Sequence, residues 1–151
     1  MSVPSWRRKL SKTEYLFQTF QLCKYVGRIV ANMPKKYGAS YGDILIQTSM
    51  EALKLGQTAN GIFINDTASF QLRRASLLKM HGCIDHVSTC AYIYLETARA
   101  NDQIKTEKRD KMYEWENVIG TTCEEINRMI KGVMKSDHEL LKKIEGKQPK
   151  G

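Results

Sequence analysis

Apolar residues recur at intervals of three and four along most of this sequence, the spacing that gathers them on one side of an α-helix. The clearest run comprises Leu77, Met80, Ile84, Val87, Ala91, Tyr94 and Ala98. A second run comprises Met112, Trp115, Ile119, Thr122, Ile126, Met129 and Val133. These two seams predict two long helices, at about 67–100 and 107–135, that pack against other helices.

A first helix is predicted at about residues 12–33. Ser11 and Glu14 have the spacing of a capping box, which marks the start of a helix. The apolar residues that follow are Leu16, Phe20, Leu22, Cys23, Val26, Ile29, Val30 and Met33. Pro34 is expected to end this helix, because the residue before a proline avoids the helical conformation.

A second helix is predicted at about residues 40–60. Its expected apolar anchors are Ile46, Met50 and Leu53. Beside them lies a stripe of small residues, Ser49, Ala52, Gly56 and Ala59, which lets a neighbouring helix approach closely. Asp66 or Thr67 is expected to cap the helix that follows.

Four helices joined by short connections predict an all-α fold, an antiparallel up-and-down four-helix bundle over residues 12–143. More than a hundred consecutive residues between Pro34 and Pro149 contain no proline, which favours helices. Residues 1–11 are interpreted as a basic N-terminal arm, and residues 144–151 as a disordered tail.

Positive charge is concentrated in the first part of the chain. The net charge is +8, and residues 1–82 account for all of it, with twelve Lys or Arg against four acids. The remainder contains twelve of each sign. A surplus segregated in this way predicts a positive face that attracts nucleic acid, anionic lipid or acidic protein.

The candidate nucleic-acid contacts are Lys24, Arg28, Lys35, Lys36, Arg73, Arg74 and Lys79. Arg73 occupies a seam position where an apolar residue is expected, and a charge there costs stability unless the seam opens onto solvent, a subunit or a ligand. The alternative interpretation is that all seven lie on ordinary solvated helix faces. Without a base-reading motif, we expect binding to backbone phosphates that weakens strongly with salt.

Sequence motifs do not indicate an enzyme. The two glycines of residues 56–61 have phosphate-loop spacing, but Ile62 and Phe63 replace the required lysine and hydroxyl residue. Cys83, His86 and Cys90 lie on one side of a helix and form a candidate zinc set, with Cys23 or Cys123 as the fourth ligand. Scattered cysteines at helical spacing are more typical of a core, so no metal and no cofactor are predicted.

The chain is also predicted to be cytoplasmic and not bound to a membrane. Its longest uninterrupted apolar run is residues 90–95, far short of a membrane span. The first residues lack the apolar segment of a signal peptide. The unpaired spacing of the four cysteines is typical of reduced thiols.

Two segments resemble the accessory variability determinant (Avd) family of diversity-generating retroelements. Residues 31–38, Ala-Asn-Met-Pro-Lys-Lys-Tyr-Gly, are similar to that family's first turn, and residues 126–133, Ile-Asn-Arg-Met-Ile-Lys-Gly-Val, to its last-helix motif. The likeness in helix order covers about residues 12–135. The matched positions are Pro34, Lys35, Lys36 and Gly132, whereas Val133 stands where that family often has Trp.

This resemblance implies a barrel-shaped homopentamer of four-helix protomers. In that family the basic barrel associates with the element's reverse transcriptase and with RNA or DNA during mutagenic retrohoming, and the catalytic residues belong to the polymerase. Two alternatives remain open. One is the related bundle encoded in intervening sequences of ribosomal RNA genes, which shares the Pro-Lys turn but has helix 2 motifs that are missing here. The other is a protein-interaction bundle that binds no nucleic acid.

Overall fold

The structure, a computed structural model, describes residues 13–101 and 103–147. These residues are mostly helical and contain no strand. Four long helices follow one another: α1 (Glu14–Asn32), α2 (Asp43–Asn60), α3 (Thr67–Arg99) and α4 (Thr106–Lys147). A short α-helical turn (Lys35–Tyr37) and a π-helical turn (Gly38–Gly42) join α1 to α2. The predicted all-α class is confirmed.

Local sequence signals set several helix ends. Met33, which precedes Pro34, is extended (φ −87°, ψ 152°), and α1 ends there as predicted. At the start of α3, the Asp66 carboxylate accepts a hydrogen bond of 2.8 Å from the Ser69 amide, and this bond lowers the pKa of Asp66. Ser11 and the arm predicted at residues 1–11 lie outside the described residues.

The last helix is longer than predicted. It continues past residue 135, so residues 144–147 of the expected tail are helical, while residues 148–151 lie outside the described part. The buried positions also continue, at Ile130, Asp137 and Leu141. The polar Asp137 interrupts the apolar pattern that the prediction followed, although its side chain is buried.

The predicted seam of α3 is entirely buried, from Leu77 to Ala98. On α2, by contrast, two of the expected anchors face solvent, since Ile46 is 37% exposed and Met50 52%. The small residues take their place in the core: Ser49, Ala52, Gly56 and Ala59 are buried, together with Leu45. Helix α2 is therefore packed through its small residues, which lets both of its neighbours approach closely.

Each long helix packs against the next along the chain, and α1 also packs against α4. At one end, Lys108 of α4 donates to the Asn32 carbonyl at 2.5 Å, and Asn101 donates to the Tyr37 hydroxyl at 3.1 Å. At the other end, Thr67 donates to Glu145 at 3.3 Å. Within the described residues, no helix has the length and apolar character needed to cross a membrane.

Replacing Gly56 with leucine tests the close approach of the helices. A Cβ atom at this position would lie 2.6 Å from the Leu16 side chain and 2.9 Å from that of Met80. We expect Gly56→Leu to lower the free energy of unfolding by about 1–3 kcal/mol, measured by urea denaturation. Gly82→Ala is the control, because nothing lies within 4 Å of its added Cβ. Equal stability of the two variants would contradict this packing.

Candidate functional site

Lys24 and Arg28 lie one turn apart on α1 and are both exposed. They border a groove of about 200 Å³ between α1 and α4. The groove is lined by Gln18, Gln21, Leu22, Lys24, Tyr25, Arg28, Val118 and Thr122. None of these described lining residues has a carboxylate. Glu114 is close enough for its charge to help burial raise the pKa of Tyr25. The groove therefore offers two cations and several neutral hydrogen-bonding groups to an anion.

Lys35 and Lys36 extend this positive surface at the end of α1. Both are exposed on the short turn after Pro34, and the Lys36 ammonium lies 5.7 Å from the centre of the Tyr37 ring. Lys108 reaches the same end from α4 through its bond to Asn32. The α1 groove and this turn together form what we call the α1 surface: Lys24, Arg28, Lys35 and Lys36.

Arg73 does not belong to a solvent-facing interface. Its Nε donates to Asp137 Oδ2 at 2.6 Å, and its Nη1 donates to the Ala59 carbonyl at 2.8 Å. The Arg73 and Asp137 side chains are each 12% exposed. This arginine is therefore a brace between α2, α3 and α4, which explains a charge at a seam position. The Arg73–Asp137 pair also lines an open cavity of about 500 Å³, so the helix interface does open onto solvent at this position.

Arg74 faces outward and lies beside basic residues of α4 that are not among the seven predicted contacts. With Lys131, Met134, Lys135 and His138 of α4 it lines a groove of about 330 Å³. The net charge of the second half of the chain does not indicate this cluster, because acidic residues elsewhere on α4 balance the charge of Lys131 and Lys135. The spacing of Lys131 and Lys135, i and i+4, was the signal available in the sequence.

Lys79 is exposed. It follows Arg74 by five residues, so the two side chains point about 140° apart around the axis of α3. It therefore points away from the Arg74 groove. The seven predicted contacts do not form one face: they divide into the α1 surface, the Arg74 groove, the separate Lys79 and the internal Arg73.

A second internal arginine lies at the far end of α3. The Arg99 side chain is 5% exposed and is paired with Glu116 at 2.7 Å and with Glu96. Its guanidinium also lies 4.0 Å from the centre of the Tyr113 ring. Like Arg73, it joins α3 to α4 through a buried ion pair.

The described residues do not assemble the zinc set. Cys90 Sγ lies 3.3 Å from His86 Nε2, but no group of three or more His, Cys, Asp or Glu side chains in the described ranges is arranged to hold a metal ion. Cys23 instead donates to the Ser49 carbonyl at 3.2 Å. All four cysteines are free thiols.

No protein-family model, no curated protein and no solved structure matches this chain.

The Arg73 brace predicts a specific pattern of stabilities. Asp137→Ala is expected to lower the free energy of unfolding by about 3 kcal/mol, because it leaves a buried guanidinium unpaired. Glu139→Ala, which removes an exposed acid two residues away, is expected to change it by less than about 0.5 kcal/mol. The double variant Arg73→Met/Asp137→Leu is expected to recover most of the loss. Chemical denaturation measures all three, and equal effects of Asp137→Ala and Glu139→Ala would refute the brace.

The cysteines are expected to differ in reactivity. Burial, together with the charge of Asp85, raises the pKa of Cys123 to about 12, so almost no thiolate is present near neutral pH. In iodoacetamide labelling of the folded protein followed by mass spectrometry, Cys123 is expected to react last and the less buried Cys83 and Cys90 earlier. If Cys123 is labelled as fast as Cys90, the core around Cys123 is accessible to the reagent and the prediction is wrong.

Proposed function

We propose that this chain is a non-catalytic accessory subunit that holds nucleic acid by its backbone phosphates. The observation that carries the proposal is the α1 surface, since its four cations are all exposed and the groove beside Lys24 and Arg28 has no carboxylate in its described lining. Exposed cations of this kind attract a polyanion through counterion release, with little dependence on base sequence.

The four helices form an antiparallel up-and-down bundle in this proposal. The end contacts support it, since the end of α1 meets the start of α4 through Asn32 and Lys108, and the start of α3 meets the end of α4 through Thr67 and Glu145. Helices that pack against their chain neighbours through short connections are typical of this topology.

The partner is a reverse transcriptase with its template RNA or cDNA, as the resemblance to the Avd family implies. The support from this chain is the Pro34 turn, which presents Lys35 and Lys36 to solvent. The element would be a diversity-generating retroelement, with mutagenic retrohoming as the process served and the cytoplasm as its location. Polymerisation belongs to the partner in this proposal.

Self-assembly into a homopentamer is the remaining part of the proposal. Large apolar side chains on the outer faces of α1 and α2 support subunit contacts, since Phe17, Phe20 and Met50 are each at least half exposed. The same residues favour the second candidate function, a protein-interaction bundle whose basic residues only keep it in solution. A solution mass measurement separates the assembled form from a monomer.

Binding of fluorescein-labelled single-stranded RNA, followed by anisotropy over a range of salt concentrations, tests the proposal. Lys24→Glu/Arg28→Glu is expected to weaken binding about tenfold or more, and to reduce the slope of log affinity against log salt by about one for each lost contact. The matched control is Lys54→Glu/Lys147→Glu, which changes the same charge at exposed positions on α2 and α4. Circular dichroism checks that both variants remain helical.

Two results would contradict the proposal. The first is a failure of the unchanged protein to bind RNA or DNA near physiological salt, and binding to an acidic protein instead would favour the second candidate. The second is equal loss of binding in the α1 variant and its control, which would mean that overall charge and not this surface holds the nucleic acid.

A further inference from the structure

The second half of α4 carries basic side chains at alternating intervals of three and four residues. They are Arg128, Lys131, Lys135, His138 and Lys142, which we call the α4 track. At 3.6 residues per turn these positions fall within about 80° of one another around the helix. All five are exposed, so the track is one continuous row on the outside of α4.

Acidic residues lie at the ends of the track and along one edge, where the exposed Glu139 follows Lys135 at i+4. Glu125 lies 3.8 Å from Arg128 at one end, and Glu145 accepts a hydrogen bond from Thr67 beyond the other. Between them, Asp137 is turned inward to Arg73, and Glu139 lines the neighbouring cavity with Lys143. Asp137, although it lies between Lys135 and His138 in sequence, is therefore on the opposite side of α4 from the track.

Arg74 adds a cation from α3 beside the middle of the track. Its guanidinium lies 5.8 Å from the centre of the Phe70 ring, and the same ring lies 6.2 Å from that of His138. Phe70 is buried, so it gives both polar groups a fixed support. The groove between Arg74, Lys131, Lys135 and His138 is therefore positive on both of its sides.

Cations this close repel one another along the helix. Arg128 with Lys131, and Lys131 with Lys135, are like-charged pairs at i+3 and i+4, which destabilise a helix. Bound anions remove this repulsion. Because the charges lie in a row and are not spread over a plane, they suit a linear polyanion better than a membrane surface.

We propose that the α4 track with Arg74 is a second nucleic-acid site, which takes the phosphates of one strand lengthwise. The track is about 20 Å long at 1.5 Å per residue. At the 3.4 Å per phosphate of one strand in a duplex, that length corresponds to about six phosphates, and an extended single strand presents fewer. The inference rests on the proposed function, because both require the chain to bind nucleic acid, but it uses a surface distinct from the α1 surface.

Anisotropy with fluorescein-labelled oligouridylate of about ten nucleotides tests the site in the full chain at about 100 mM salt. We expect Lys131→Glu/Lys135→Glu to weaken binding about tenfold or more and to lower the salt slope by about two. Lys131→Gln/Lys135→Gln removes the contacts without adding negative charge, and is expected to give a smaller loss in the same direction. The matched control is Lys54→Glu/Lys147→Glu, which reverses two exposed charges on α2 and α4 outside the track.

The outcomes separate the two proposals. If the track variant binds like its control while Lys24→Glu/Arg28→Glu loses binding, the second site is refuted and the proposed function stands. If the unchanged protein binds no oligonucleotide, both are refuted. A loss of binding to phosphatidylserine vesicles in the track variant, with oligouridylate binding unchanged, would assign the track to a lipid surface and overturn the inference. Loss in both the α1 and the track variants, with the controls unaffected, supports two sites.

Discussion

The ion pair between Arg73 and Asp137 is the interaction on which the arrangement of the second half of the chain depends. Burying two charges is costly unless they are paired and hydrogen-bonded, and Arg73 meets that condition by also donating to the Ala59 carbonyl. One guanidinium thereby joins the end of α2, the start of α3 and the last third of α4. Tyr15 of α1 lies near enough for both charges to act on its hydroxyl.

The basic residues next to this buried pair face solvent. With Arg73 turned inward, Arg74 faces outward over Phe70, beside Lys131 and Lys135 of α4. Asp137 points inward from α4 as well, whereas Lys131 and Lys135 on the outer side of that helix are exposed. Arg99 and Glu116 form a comparable buried ion pair between α3 and α4 at the other end of α3.

The exposed surface carries two kinds of chemistry. Cations on α1, its turn and α4 suit the phosphates of a nucleic acid, whereas the apolar side chains on α1 and α2 suit another protein or another copy of this one. The proposed accessory function would use both kinds of surface, the cations for nucleic acid and the apolar side chains for a protein. The apolar surface of α2 follows from its packing: because Ala52 and Gly56 are buried, Ile46 and Met50 lie on the outside.

The sequence by itself determined the helices and the buried face of α3. These features follow from local geometry and from one helical period, so they can be predicted without knowing which residues pack together. Examples are Pro34, the Asp66 cap and the apolar run from Leu77 to Ala98. Tertiary structure decided which side of α2 is buried, where α4 ends and which basic residues are free. These features depend on contacts between residues that are distant in the chain. Arg73 and Asp137 are 64 positions apart, and no local sequence pattern indicates that they form a buried ion pair.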